Sequence, residues 1–399
     1  MALDRREFIR TAGAATAATA LSYSRILGAN DRIRLGLIGC GSRGMGNAGN
    51  FLKLNGVEVV SLCDVYGAQV DLARKMAPSA KAIKDHRQLL ELKDVDAVII
   101  AVPDHWHMPI TIDALNAGKD VYVEKPLTLR IEEGPEIVKA ARVNQRVCQV
   151  GMQQRSGRHY LQAKQEYFDT KKLGTITLVR TWWHGNTFHL RRAPESLRTL
   201  PSDLDWARFL GPLKWRDWDP QQYYNWRAYL DYGGGQVTDL FTHWIDVVHM
   251  FTGQDVPIAA SASGGVYAYK DGRTAPDTIN VLLEYPADFT ATFEATLVPS
   301  ITGAAIEFCG TDGRLVISRG RFEVFEPKSA TPIATVQASG NMDQDHMQNF
   351  LDCVKSRKLP NGDVLAGHRS AQASHLGNIA YLEKRRLEFD PTREVIMPS

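Results

Sequence analysis

Apolar runs in this chain come in two styles, and they divide it. In the N-terminal part, short β-branched runs alternate with helical stretches. Ile33–Ile38, Val57–Cys63 and residues 97–102, 121–123 and 147–150 are compact and apolar, which predicts strands buried on both faces. Helical periodicity lies between them, over residues 44–54, 108–117 and 132–144, and Gly118 suits a helix C-cap. Strand alternating with helix predicts a doubly wound parallel sheet over residues 31–150. From Gly174 onward the runs alternate apolar with polar: residues 175–183, 259–269, Thr278–Tyr285, 289–297, Ala304–Gly310 and Arg314–Ile317. With turns such as Thr311-Asp312-Gly313 between them, they predict an α+β domain, residues 151–365, on a largely antiparallel open sheet. One face of that sheet can take helices and the other a second subunit, so a homo-oligomer is expected. A last helical stretch within residues 366–399 reads as a return to the first domain.

Composition adds a compartment. The 399 residues are 44% hydrophobic and 23% charged, which is globular. Residues 1–30 differ: Asp4-Arg5-Arg6-Glu7-Phe8-Ile9-Arg10 precedes a mild alanine- and threonine-rich run. That is the pattern of a twin-arginine signal, implying export to the periplasm with no membrane anchor in the mature form. Without it, basic and acidic residues balance, so neither nucleic acid nor an anionic membrane is an expected partner. Five cysteines without a close-spaced pair imply neither a disulfide framework nor a zinc site, and no metal is expected.

Chemistry enters at the end of the first strand. Gly39-Cys40-Gly41-Ser42-Arg43-Gly44 lies between strand and helix, where a dinucleotide fingerprint must lie. Gly39 allows the turn, Gly41 lets the backbone approach a pyrophosphate, and Gly44 lets helix and sheet pack closely. The second strand ends at Asp64, an acid placed to accept from the ribose hydroxyls and repel a 2′-phosphate. NAD is therefore favoured over NADP. Val121-Tyr122-Val123 runs into Glu124-Lys125-Pro126, which places a lysine at the carboxyl end of a parallel strand, where such sheets bind ligands.

The glycine loop, Asp64, the segment Pro103-Asp104-His105-Trp106-His107 and Glu124-Lys125-Pro126 together resemble the glucose–fructose oxidoreductase / inositol dehydrogenase / MocA family. The resemblance covers residues 31–399. It implies a Rossmann domain with NAD, Lys125 beside nicotinamide and substrate, a cis Lys125–Pro126 peptide, and Pro103, His107 and Glu124 near the cofactor.

In the second half, Asp239 and His243 lie four apart on a predicted helix, so they share a face, and a carboxylate beside an imidazole fixes its tautomer. The resemblance makes His243 the acid/base, with Asp239 orienting it. An insertion rich in aromatics and arginine, with Trp183, His184, Trp226 and Arg227, suits a sugar ring. Gln153 and Arg155, which follow the last parallel strand, are expected to line the cleft. The reading is an NAD-dependent oxidoreductase moving a hydride between a carbinol carbon of a sugar or sugar derivative and nicotinamide. The alternatives are a redox-neutral glycosidase or a sugar–sugar oxidoreductase with non-exchanging NAD, and a non-catalytic sugar-binding protein.

Overall fold

The computed structural model describes residues 32–184, 191–300 and 303–398. The twin-arginine segment, and Gly185 and Asn186 of the aromatic insertion, lie outside them. Two sheets organise the chain. The first contains β1 (Ile33–Ile38), β2 (Val57–Cys63), β3 (Lys81–Ile83), β4 (Ala97–Ile100), β5 (Asp120–Val123) and β6 (Cys148–Val150). Their order is β3-β2-β1-β4-β5-β6, all parallel. The order reverses between β1 and β4, which opens a crevice at the carboxyl ends of the strands.

Both faces of this sheet are covered. Phe51, Val70 and Ala73 bury one face; Leu89, Ile110, Ala114 and Ile137 bury the other. Sequence reading placed no helix at Met342–Ser356, yet Met347, Phe350 and Leu351 complete the first of those faces. Arg357, just past that helix, makes a two-pronged 2.8 Å bond to the Asp120 carboxylate.

The second sheet contains β7 (Ile176–His184), β8 (Ala259–Gly265), β9 (Thr278–Tyr285), β10 (Phe289–Thr296), β11 (Ala304–Gly310), β12 (Arg314–Ile317), β13 (Arg321–Phe325), β14 (Ala334–Gln337), β15 (Leu387–Asp390) and β16 (Val395–Ile396). The order is β14-β13-β12-β11-β7-β10-β9-β8-β15-β16, antiparallel except for the β7–β10 pair. β10 shows the period-two logic: Phe289, Ala291, Phe293 and Ala295 are buried, while Thr290, Thr292, Glu294 and Thr296 are only half-buried. The buried side packs on Phe241, Trp244 and Val248. The helix Val364–Glu383 ties the halves together, since Ala371 belongs to the first core and Leu376 and Ala380 to the second. Glycines make its approach close: a Cβ on Gly367 would meet Val150 at 2.4 Å, and one on Gly377 would meet Val281 at 2.8 Å.

Residues 203–211 of the insertion bind back across the first domain. Asp205 N donates to Val65 O (2.9 Å), Gly67 N donates to Asp203 O (3.2 Å), and Ala68 N donates to the Asp203 carboxylate (3.0 Å). The Phe209 carbonyl accepts from Trp106 Nε1 at 2.9 Å and lies 2.8 Å from His105 Nε2. This strap has its own aromatic core of Trp206, Phe209, Tyr229 and Tyr232. His105 is therefore a strap anchor.

Candidate active site

One cavity of about 760 Å³ runs from the glycine loop and Asp64, past Lys125, to His243 and Arg319. Gly39 has φ +91°, and a Cβ there would meet the Ala101 carbonyl at 2.3 Å. A Cβ on Gly44 would sit 1.9 Å from the Gly39 carbonyl, so helix and loop close only on glycine. At Gly41 a Cβ would meet nothing within 4 Å: the backbone there faces open cavity, as a phosphate cradle requires. Ser42 and Arg43 line the same stretch.

Asp64 holds this loop as well as facing the cavity. Its carboxylate accepts from Cys40 N (2.7 Å) and Tyr66 N (2.9 Å). Burial pushes its pKa up to about 6 against those N–H bonds, so it is ionised at neutral pH. At pH 7, Asp64→Ala should weaken NAD and relax discrimination against NADP, measured by titrating each into cofactor-stripped protein. A wild-type preference for NADP would refute this placement.

The Lys125–Pro126 peptide is cis. Lys125 Nζ donates to both the side chain and the backbone carbonyl of Asp239, each at 2.7 Å. An ammonium has three N–H donors, so one remains for a ligand oxygen. Arg227, over the Trp226 ring at 4.1 Å, lies 3.5 Å from the same carboxylate. Burial disfavours the charge on Asp239, but the two cations outweigh it and its pKa is lowered.

Asp239 was expected to orient His243, and it does not. Val237–Phe241 forms a π-helical turn, whose wider winding separates residues four apart, and two cations claim the carboxylate. The buried Nδ1 of His243 has no hydrogen-bond partner. Burial, then the charges of Lys125 and Arg319, hold the imidazole pKa well below 6.5. His243 is thus a neutral base lining the cavity, with the Trp183 ring tilted against it at 6.2 Å between centroids.

Other expected residues fall into place unevenly. Pro103, Gln153, Trp226 and Arg227 line the cavity. Glu124 also lines it, but its carboxylate accepts from Arg43 Nε and Asn47 Nδ2, both at 2.8 Å, so it positions the loop arginine. His107 is similarly engaged, with Nδ1 2.6 Å from Pro126 O and Nε2 3.0 Å from Val102 O. Burial lowers its pKa to about 4, so the neutral ring has one N–H and donates to one of these two carbonyls, bracing the Lys125–Pro126 segment. Two expectations are corrected. Arg155 does not line the cavity; it is bound to buried Asp246 at 2.7 Å, which Ser370 also contacts. His184, the last residue of β7, lies outside the lining, with its Nδ1 3.0 Å from Ser300 Oγ.

Sequence reading missed Asp104 and Arg319. Asp104 is buried in the cavity wall, and burial followed by the Asp239 charge raises its pKa to about 8. Folding therefore adds a proton that the unfolded chain releases near its ordinary value of 3.8. The sign follows: stability from this group falls as pH climbs from about 4 to about 8, then levels off. Asp104→Asn should flatten that loss and melt a few degrees higher than wild type at pH 9, with little gain at pH 5. Parallel melting profiles would contradict it. A lone aspartate before two histidines carries no such signal in sequence, since the raised pKa comes from Asp239 and burial.

Comparisons with known proteins bear on the fold and the family. A model described as oxidoreductase family, NAD-binding Rossmann fold, matches residues 33–152, and the GFO/IDH/MocA C-terminal domain model matches residues 213–316. The chain belongs to the GFO/IDH/MocA family of NAD-binding oxidoreductases. An α-N-acetylgalactosaminidase of Shewanella oneidensis is 33% identical over 177 residues, which is 37% of this chain and 38% of that relative. A glycosyl hydrolase family 109 protein of Shewanella sp. (strain ANA-3) is 32% identical over the same length. The match thus spans about 38% of the length of these curated relatives. Among solved structures, levoglucosan dehydrogenase in complex with NADH and levoglucosan superposes with TM-score 0.72 at 17% identity, covering 92% of this chain and 100% of that one. The WlbA dehydrogenase of Bordetella pertussis, in complex with NADH and UDP-GlcNAcA, gives 0.70 at 19%, covering 90% and 99%.

Proposed function

We propose that this protein oxidises a carbinol carbon of a sugar or sugar derivative, with NAD held in the cavity. The observation that carries the reading is Lys125, held by two 2.7 Å bonds to Asp239 beside a neutral His243, in the cavity that begins at the glycine loop. Bound NAD supplies the hydride acceptor. His243 takes the hydroxyl proton, which a neutral imidazole can do. The remaining Lys125 N–H donates to the same oxygen and stabilises its developing charge. Asp239 acts on Lys125 and not on His243: it fixes the ammonium and offsets its charge. Trp226 and Arg227 form the wall for the sugar ring.

A second reading is favoured by the glycosidase name of the Shewanella oneidensis relative. Oxidation at a ring carbon acidifies the neighbouring C–H, elimination expels the aglycone, water adds across the double bond so formed, and the hydride returns to the sugar. Mass analysis of products from a glycoside library, with and without added NAD, separates the two. An oxidised sugar accumulating, with NADH or with a second sugar reduced, supports the oxidoreductase; hydrolysis without net redox change supports the glycosidase. Binding without any turnover overturns both. Export through the twin-arginine route and a homo-oligomer joined through the half-buried sheet face belong to the same proposal. Cell fractionation and light scattering test them.

A further inference from the structure

Arg319 stands in the turn between β12 and β13 and reaches the cavity beside His243. Its guanidinium lies over the Trp183 ring, 5.0 Å from the centroid. Arg319 is solvent-exposed, although the protein around it lowers its pKa. Among the described residues it makes neither a hydrogen bond nor an ion pair. The other cations at this end are matched. Lys125 and Arg227 share Asp239 at 2.7 and 3.5 Å, and Arg43 meets Glu124 at 2.8 Å and Asp343 at 3.7 Å. Arg319 is thus the cation at this end of the cavity with no bonded carboxylate among the described residues.

A neutral sugar has no use for that charge, whereas a guanidinium that lines the cavity and is open to solvent is open to a ligand anion. The planar fork of arginine fits a carboxylate through two parallel bonds, and its single charge suits a monoanion. Arg319 lies over the Trp183 ring, whose centroid is 6.2 Å from that of His243, which puts the anion close to the reacting carbon. We infer that the substrate is an acidic sugar whose carboxylate is bound by Arg319 against Trp183. What happens to that sugar after binding rests on the oxidoreductase reading; the binding itself does not.

The test uses the NAD-containing protein and three pairs of probes: glucuronate, galacturonate and mannuronate against glucose, galactose and mannose. Calorimetry should show at least one uronate binding tenfold or more tighter than its neutral partner. Arg319→Met should weaken that uronate by about 30-fold, the scale of one charge-assisted bond, and leave the neutral hexose unchanged. Arg319→Lys should recover part of the loss, and NAD content should not change in either variant. The inference falls if no uronate binds, if the neutral hexose binds as well, or if Arg319→Met weakens both alike. It also falls if that variant loses its NAD, which would assign Arg319 to the cofactor phosphates. A uronate that binds through Arg319 but never reduces the nicotinamide keeps the carboxylate site and removes the oxidoreductase reading. Oxidation of a neutral hexose with no uronate bound does the reverse.

Discussion

Lys125→Ala should lower turnover by roughly a hundredfold or more while NAD stays bound, and His243→Ala should do the same. The two losses have different physical origins. Lys125 brings a charge-assisted donor to the oxygen that becomes negative, and its aim depends on the two Asp239 contacts at 2.7 Å. His243 brings only an acceptor, kept neutral by burial and neighbouring cations. Asp239 should therefore couple to one and not the other. A double-mutant cycle of Asp239→Asn with Lys125→Ala should be strongly non-additive, because the aspartate works through the lysine. The cycle of Asp239→Asn with His243→Ala should be nearly additive. The reverse outcome would restore the Asp239–His243 pair that the helical spacing suggests and the π turn breaks. Wild-type-like turnover in the His243 variant would remove it from the mechanism.

This contrast marks where sequence stops being legible. The parallel strands were readable because a run buried on both faces, such as Val121-Tyr122-Val123, has no other home. The glycines were readable because Gly39 and Gly44 each have a backbone carbonyl where a Cβ would go. The helix Met342–Ser356 was not, because its apolar face answers a sheet far earlier in the chain. Asp239 was misassigned for a similar reason. Its spacing to His243 is local, but its partners Lys125 and Arg227 come from other elements, and a π turn looks like any helix in sequence. Arg155, expected at the cleft, instead neutralises Asp246, a pairing set by tertiary packing. Arg319 had no motif at all; what distinguishes it is a guanidinium in the cavity lining with no bonded carboxylate among the described residues.

The purified protein should carry stoichiometric NAD(H), released only on denaturation. The reason lies in the strap. Asp203, Leu204 and Asp205 bond to the chain just after β2, where Tyr66 bridges Leu204 and Ala68 N meets the Asp203 carboxylate. Arg208 reaches Asp85 at 3.3 Å, and Phe209 and Tyr223 join Asp64 in the cavity lining. The end of the cavity around Asp64 is thus roofed by residues from the other half of the chain. A dinucleotide seated from the glycine loop to Asp64 could leave only if several of these bonds opened together, so opening should be slow compared with turnover. A cofactor that stays must be reset in each cycle, by returning its hydride to the same sugar or passing it to a second one. Loosening the roof should reverse this: Asp203→Ala with Arg208→Ala should retain the fold yet exchange labelled NAD much faster, and should depend on NAD in the medium. The measurement is loss of bound NAD after gel filtration, followed by exchange of labelled cofactor. Wild-type protein that emerges without NAD and works only with freely exchanging NAD would reject the idea, leaving a dehydrogenase that releases NADH after every turnover.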